Sequence, residues 1–167
     1  GASPAGNWSG CHAVGWDQNA PEFGDLAVGD GFQKHSYPFG IIVNADGRRF
    51  VDEGADFRNY TYAKYGRRVL EQPNQFAWQV FDSKVTKLLR SEYRIKFVTK
   101  VSAPTLEALA PQLEGVNAGE FLRHVAENPS RLFLSRLPCQ HVDGGFGAGQ
   151  GVADLVGESG RHRPDGG

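Results

Sequence analysis

The stretch YPFGIIVNADGRRFVDE, residues 37–53, decides the fold of this chain. Its first half is an apolar, β-branched run, and the tripeptide ADG at 45–47 is a turn signal. The segment RRFV at 48–51 then returns as a second extended run. We therefore predict a β-hairpin over residues 37–51.

The residues that follow this hairpin alternate between helical and extended patterns. Four apolar positions fall on one helical face, which predicts a helix that starts near Tyr60 with Asn59 as its N-cap and stops at Pro73. We predict a strand at 76–82, a short helix capped by Ser83 and a second strand at 95–101.

The last periodic part of the sequence reads as two short helices. Thr105 is placed to cap the first, Pro111 to bend it and Gly115 to stop it. Asn117 is placed to cap the second, over residues 117–127. Strands and helices that mix in this way, without strict βαβ alternation, predict an α+β fold.

Composition divides the chain into three parts. Residues 1–36 are irregular, residues 37–127 form the predicted α+β domain, and residues 128–167 lose periodicity. Nine of the 22 glycines fall in the last 24 residues. The segment GGFGAGQG there does not fit the GxGxxG spacing, so we expect a flexible or frameshifted glycine-rich tail rather than a nucleotide site.

Length and charge narrow the possible functions. The chain has 167 residues, 40% of them hydrophobic, which is enough for one core, and its formal charge of −1 provides no field for nucleic acid or an anionic membrane. We expect no membrane span, because no apolar run is long enough to cross a bilayer. We expect no metal site, because Cys11 and Cys139 lie far apart and form no CxxC pair, and this use of cysteine predicts a cytoplasmic location. The chain has no methionine, which predicts a fragment.

Residues 7–127 resemble flavoproteins of the fumarate reductase and succinate dehydrogenase superfamily. The resemblance runs from GNWSGCHAV through YPFGIIVNADGRRFVDEGADFRNYTYAKYG to FAWQVFD, and VN-x-x-G-x-RFVDE followed by an arginine is its most specific part. Within that superfamily the chain is most similar to tricarballylate dehydrogenases, which oxidise a tricarboxylate to its alkene.

The resemblance implies that residues 1–36 lead from an FAD domain into a mobile capping domain, residues 37–127, that closes over the substrate. FAD would be held by sequence outside this chain. The implied substrate is a small di- or tricarboxylate, with a protein or a quinone as electron acceptor and with the oligomeric state left open. A fumarate-reductase-like or ketosteroid-dehydrogenase-like cap, or a non-catalytic binding module, remains an alternative.

The same resemblance assigns roles to individual residues. Arg58 aligns with the arginine that exchanges a proton with the substrate carbon, and His12 with a histidine that binds a substrate carboxylate. Asp52 and Glu53 would hold the loop before Arg58. A guanidinium at a helix start is also where free backbone N–H groups favour anions.

A proton path is harder to place. The relatives carry a glutamate and an arginine shortly before the first strand, where this sequence has Gln33 and Ser36. His35 or Tyr37 is the candidate relay in their place.

Overall fold

The computed structural model describes residues 1–6, 13–21, 25, 27, 32–95, 98–128 and 153–159. Helices and short strands alternate along the described chain, so the expected α+β fold is confirmed. The elements are β1 (Ile41–Val43), α1 (Arg58–Leu70), β2 (Phe76–Asp82), β3 (Lys100–Ala103), α2 (Leu106–Leu109), α3 (Ala118–Glu127) and β4 (Ala153–Ser159).

The strands form one antiparallel sheet in the order β1-β2-β4-β3. In the register of the first pair, Ile42 lies opposite Gln79. Strand β4 pairs with both β2 and β3, which supplies hydrogen-bond partners for the facing edges of those two strands. An irregular tail was expected over residues 128–167, and at 153–159 the structure has this strand instead. The remaining tail residues, 129–152 and 160–167, lie outside the described chain.

Strands β1 and β2 are buried on both faces, which explains why their sequences are apolar without strict alternation. Phe76, Trp78 and Val80 face a core that includes Leu109 and Phe121 from the α2–α3 region. The other face packs against α1 in a second core, whose buried members are Val14, Tyr37, Ile42, Tyr65, Val69 and Ala77. The sheet therefore positions α1 and α3 in separate layers.

The predicted hairpin forms only in part. Residues 45–47 do turn, with Gly47 at a φ of 75°, and the Asn44 N–H bonds to the Arg48 carbonyl at 3.0 Å. The returning segment makes a single bridge, between Val43 and Arg49, and Tyr37–Phe39 is a 3-10 turn rather than strand. The main partner of β1 is β2, because that pairing buries β1 on both faces.

Some element boundaries differ from the sequence-based prediction. Helix α1 starts at Arg58, so Asn59 is not its N-cap, and no side chain caps it. The Asp82 carboxylate caps the 3-10 turn Ser83–Leu88 by accepting from the Lys84 N–H at 2.8 Å, and Ser83 does not. Asp82 lies one residue before the predicted cap, and its carboxylate oxygen reaches a free N–H group in the first turn.

Other predicted features are confirmed. The strand at 76–82 matches β2, and Thr105 and Asn117 cap α2 and α3 through their side-chain oxygens. The strand predicted at 95–101 differs from the one found, Lys100–Ala103, which shares only residues 100 and 101 with the predicted range. Pro111 lies in a 3-10 turn at the end of α2. No helix in the described ranges combines the length and apolar character needed to cross a bilayer.

A buried ion pair lies within the irregular leading segment, and its further hydrogen bonds connect that segment to the domain. The Lys34 ammonium lies 3.1 Å from the Asp17 carboxylate, and neither side chain is exposed to solvent. Lys34 also donates to the Glu92 carbonyl at 3.0 Å, and Asp17 accepts from the Thr99 N–H at 3.0 Å. Every charge of the pair is therefore compensated by hydrogen bonds, which is the condition under which a buried pair is tolerated.

The leading segment also crosses α1 at Gly66. A methyl group at this position would collide with the carbonyl oxygen of Ala13. The contact brings the two backbones together without an intervening side chain.

Replacing Lys34 with methionine should lower the free energy of unfolding by about 3–5 kcal/mol, because it leaves the Asp17 charge buried and unpaired. The exposed Lys87→Met is the matched control and should change it by less than about 0.5 kcal/mol. Adding Asp17→Asn to Lys34→Met should recover part of the loss, because the amide oxygen still accepts from Thr99. Urea unfolding gives the free energy of unfolding of wild type and of the three variants. A Lys34→Met variant as stable as wild type would contradict the role of the pair.

Candidate functional site

A cleft of about 680 Å³ opens beside the start of α1, a volume within the range of small-molecule sites. Its lining comes from three separate parts of the chain: His35, Ser36, Pro38 and Phe39; Gly54, Asp56, Phe57 and Arg58; and Arg90. We call the four residues of the first group together with Arg90 the first wall, and the four residues of the second group the second wall. The cleft thus exists only in the folded chain.

The first wall is fixed by hydrogen bonds beneath its surface. Ser36, which is 1% exposed, donates its N–H to the Tyr93 hydroxyl at 2.8 Å. The Ser36 hydroxyl in turn accepts from the Arg90 N–H at 3.0 Å. The Tyr93 hydroxyl donates to the Gln79 side chain on β2 at 2.7 Å, so the wall is anchored to the sheet.

The second wall depends on a buried carboxylate. Glu53 is 2% exposed, and its Oε1 accepts from the Ile42 N–H of β1 at 2.5 Å. Its Oε2 accepts from the Arg49 Nε at 2.6 Å. Burial raises the pKa of the Glu53 carboxyl, and the hydrogen bonds from Arg49 and from Ile42 act in the opposite direction.

Asp52 stabilises the turn that follows. Its side chain is 73% exposed and accepts from the Arg49 guanidinium at 3.2 Å and from the Gly54 N–H at 3.3 Å. Its carbonyl accepts from the Tyr65 hydroxyl of α1. Asp52 and Glu53 both pair with Arg49, and neither pairs with Arg58.

Tyr37 joins the two walls. Its hydroxyl is hydrogen-bonded to the Thr61 hydroxyl at 2.5 Å and donates to the Arg58 carbonyl at 3.3 Å. Its ring packs edge-on against Tyr65. Burial raises the pKa of the Tyr37 phenol, so it stays protonated and hydrogen-bonded at neutral pH. The structure thus gives Tyr37 an anchoring contact at the first turn of α1, and its role in a relay stays a prediction.

The Arg58 guanidinium has no carboxylate within ion-pair distance among the residues that the structure describes. Its one hydrogen bond there goes to the Asn59 side chain at 3.2 Å. The nearby Asp56 carboxylate instead accepts from the Phe57 N–H at 2.6 Å. Arg58 is also the first residue of α1, where unpaired N–H groups and the helix dipole favour an anion. The cation is therefore available to a ligand in the cleft.

His35 brings a further titratable group to the cleft. Its Nδ1 lies 4.0 Å from the Glu92 carboxylate, and its ring packs edge-on against Tyr62. At the mouth, Phe39 and Phe57 are 45% and 79% exposed. The cleft therefore combines cationic side chains with apolar edges, an arrangement that suits a small anion with a hydrocarbon backbone.

A flavocytochrome c3 fumarate reductase, solved in its open conformation, is similar to this chain. The TM-score is 0.48 and the sequence identity 19%, and the match covers 80% of this chain and 24% of the fumarate reductase. No protein-family model and no curated protein matches the chain. This chain therefore spans about a quarter of the solved protein, and a likeness of this size assigns neither family nor activity.

The residues predicted from sequence are placed as follows. Arg58 and His35 both line the cleft, and Tyr37 bonds to Thr61 and to the Arg58 carbonyl. Asp52 and Glu53 pair with Arg49 just before the second wall. His12 lies outside the described residues. Sequence reasoning missed Arg90, because residues 35–39 and Arg90 are far apart in the chain and no local motif connects them.

The described residues do not fit FAD. A dinucleotide site requires a strand that leads through a glycine-rich turn into a helix N-terminus. None of the three described helices, α1, α2 and α3, begins at such a turn. Nor do the described residues contain a group of His, Cys, Asp and Glu side chains able to hold a metal ion. The chemistry that this part of the chain can provide is the binding and orientation of an anion.

The burial of Glu53 predicts a pH dependence of stability. A carboxyl whose pKa is raised by folding stabilises the native state below its ordinary pKa and loses that contribution as the pH rises through the folded value. The unfolding free energy of wild type should thus fall relative to that of Glu53→Gln as the pH rises from about pH 4, the ordinary value of the carboxyl, towards neutrality.

Urea unfolding of both proteins across this pH range measures the difference. Glu71→Gln, which removes an exposed carboxylate that pairs with Arg68, is the control for the loss of a carboxylate outside the core. If the wild type instead gains stability over Glu53→Gln as the pH rises, the ion pair with Arg49 outweighs burial and the prediction is wrong.

Proposed function

We propose that this chain is the capping domain of an FAD-dependent dehydrogenase that oxidises a di- or tricarboxylate, of the tricarballylate type, to its alkene. The observation that supports the proposal is the Arg58 guanidinium, which faces the cleft without a carboxylate partner among the described residues. FAD, which would accept the hydride removed from the substrate, and the electron acceptor, a protein or a quinone, would be bound by the rest of the parent protein, in the cytoplasm.

In this proposal Arg58 has two tasks. It binds a substrate carboxylate through its planar fork of N–H donors, and it exchanges a proton with the substrate carbon. A protonated guanidinium has no acceptor, so Arg58 can take the substrate proton only after a neighbour has removed one of its own. His35 lines the same cleft and is the proposed relay, and His12 is the proposed second carboxylate ligand.

The acidic residues near Arg58 support this assignment by being engaged elsewhere. Glu53 bonds to Arg49 and β1, and Asp56 bonds to the backbone at the start of α1. An arginine whose acidic neighbours have other partners keeps its hydrogen-bonding capacity for a ligand.

Carboxylate binding by the chain itself tests the proposal. Tricarballylate and succinate should shift the amide resonances of residues 35–39 and 54–58, and the trimethyl ester of tricarballylate should not. Arg58→Gln should weaken the binding about tenfold, because it removes a charge-assisted hydrogen bond. Arg67→Gln, which removes a charge from the exposed side of α1, is the matched control and should leave it within about twofold.

The ligand series also separates the alternatives. Preference for tricarballylate over succinate favours the tricarballylate type, and the reverse order favours a fumarate-reductase-like cap. An uncharged 3-ketosteroid that binds in the cleft more tightly than either acid would overturn the proposal, as would an Arg58→Gln variant that binds as well as wild type.

A second prediction concerns the flavin. The purified chain should be colourless, and titration with FAD should give no saturable binding at micromolar concentration, because the described helices lack the glycine-rich turn that holds a dinucleotide. Visible absorbance and flavin fluorescence measure this. Yellow protein with close to one FAD per chain would contradict it.

A further inference from the structure

Arg90 is a second guanidinium in the cleft, and nothing in the sequence pattern pointed to it. It belongs to the first wall, whereas Arg58 belongs to the second. We infer that Arg90 binds a second carboxylate of the ligand, and that Arg58 and Arg90 together make the cleft selective for molecules with at least two carboxylates. This inference rests on the proposed function of the cleft.

The backbone of Arg90 is held in place before any ligand arrives. Its N–H donates to the buried Ser36 hydroxyl at 3.0 Å, and the Arg90 carbonyl accepts from the Tyr93 N–H at 3.2 Å. Tyr93 is 2% exposed and bonds through its hydroxyl to both Ser36 and Gln79. Because the Arg90 backbone is fixed in this way, a ligand that orders the side chain loses less conformational entropy on binding.

The side chain of Arg90 is fixed at one end and open at the other. Its Nε donates to the Glu92 Oε1 at 2.7 Å, and the Glu92 side chain is only 9% exposed. The Arg90 side chain itself is 54% exposed. Since Nε is engaged by Glu92, the donors left for a ligand are those of the two terminal nitrogens.

Two guanidiniums in one cleft favour a ligand with two negative groups. A single carboxylate can satisfy one planar fork at full strength, and Arg90 then keeps only its bond to Glu92 and its contact with solvent. A dicarboxylate satisfies both, and each charge-assisted hydrogen bond adds to the affinity. The apolar rings of Phe39 and Phe57 at the mouth suit the carbon chain between the two groups.

The test compares mono- and dicarboxylates on the full chain. Affinities for propionate, succinate and tricarballylate are measured by amide shifts in wild type, Arg90→Gln, Arg90→Lys, Arg58→Gln and the control Arg67→Gln. Arg90→Gln should weaken succinate and tricarballylate about tenfold and leave propionate within about twofold, which removes the preference for the dianion. Arg90→Lys should restore part of that preference, because it restores the charge without the fork.

Each outcome has a distinct meaning. If Arg58→Gln weakens binding and Arg90→Gln leaves the ratio of succinate to propionate affinity unchanged, Arg90 does not bind a carboxylate and the inference is wrong, while the proposed function stands. If Arg58→Gln has no effect, or wild type binds none of the acids, the proposed function fails and the inference fails with it. Thermal unfolding of Arg90→Gln within about 2 °C of wild type shows that lost affinity is not lost structure.

Discussion

The ion pair between Lys34 and Asp17 is the constraint on which the cleft depends. Both charges lie in an environment without solvent, so the chain on either side must stay where the hydrogen bonds from Thr99 and to the Glu92 carbonyl are made. The residues that follow Lys34 form the first wall, and Glu92 lies two residues after Arg90. A shift in the pair would therefore displace both parts of this wall.

The second wall shows how an arginine becomes available for binding in an acidic stretch of sequence. Three carboxylates lie within six residues of Arg58, yet each is engaged by the backbone or by Arg49. Because an unsatisfied buried carboxylate would be costly, the burial of Glu53 favours the one arrangement in which it accepts from Ile42 and Arg49. The local excess of negative charge thus serves the fold, and the cleft keeps a cation.

Sequence alone predicts the features that depend on near neighbours. The caps at Thr105 and Asn117 and the strand at 76–82 are set by a few adjacent side chains and by period, and the structure has all three. The pairing of β1 with β2 and the presence of Arg58 and Arg90 in one cleft depend on residues more than thirty positions apart. No local pattern encodes such contacts, so sequence reasoning found one cation of the cleft and missed the other.

Gly66 limits how this protein can be engineered for stability. Alanine is favoured over glycine inside a helix by roughly 1 kcal/mol, so a consensus or helix-propensity approach would choose Gly66→Ala in α1 first. That methyl group would collide with the carbonyl of Ala13 and push away the segment that carries Asp17. A substitution that stabilises α1 by itself would thereby separate the buried charges of Asp17 and Lys34. Stabilising substitutions in α1 should instead be sought at exposed positions such as Lys64 and Arg67.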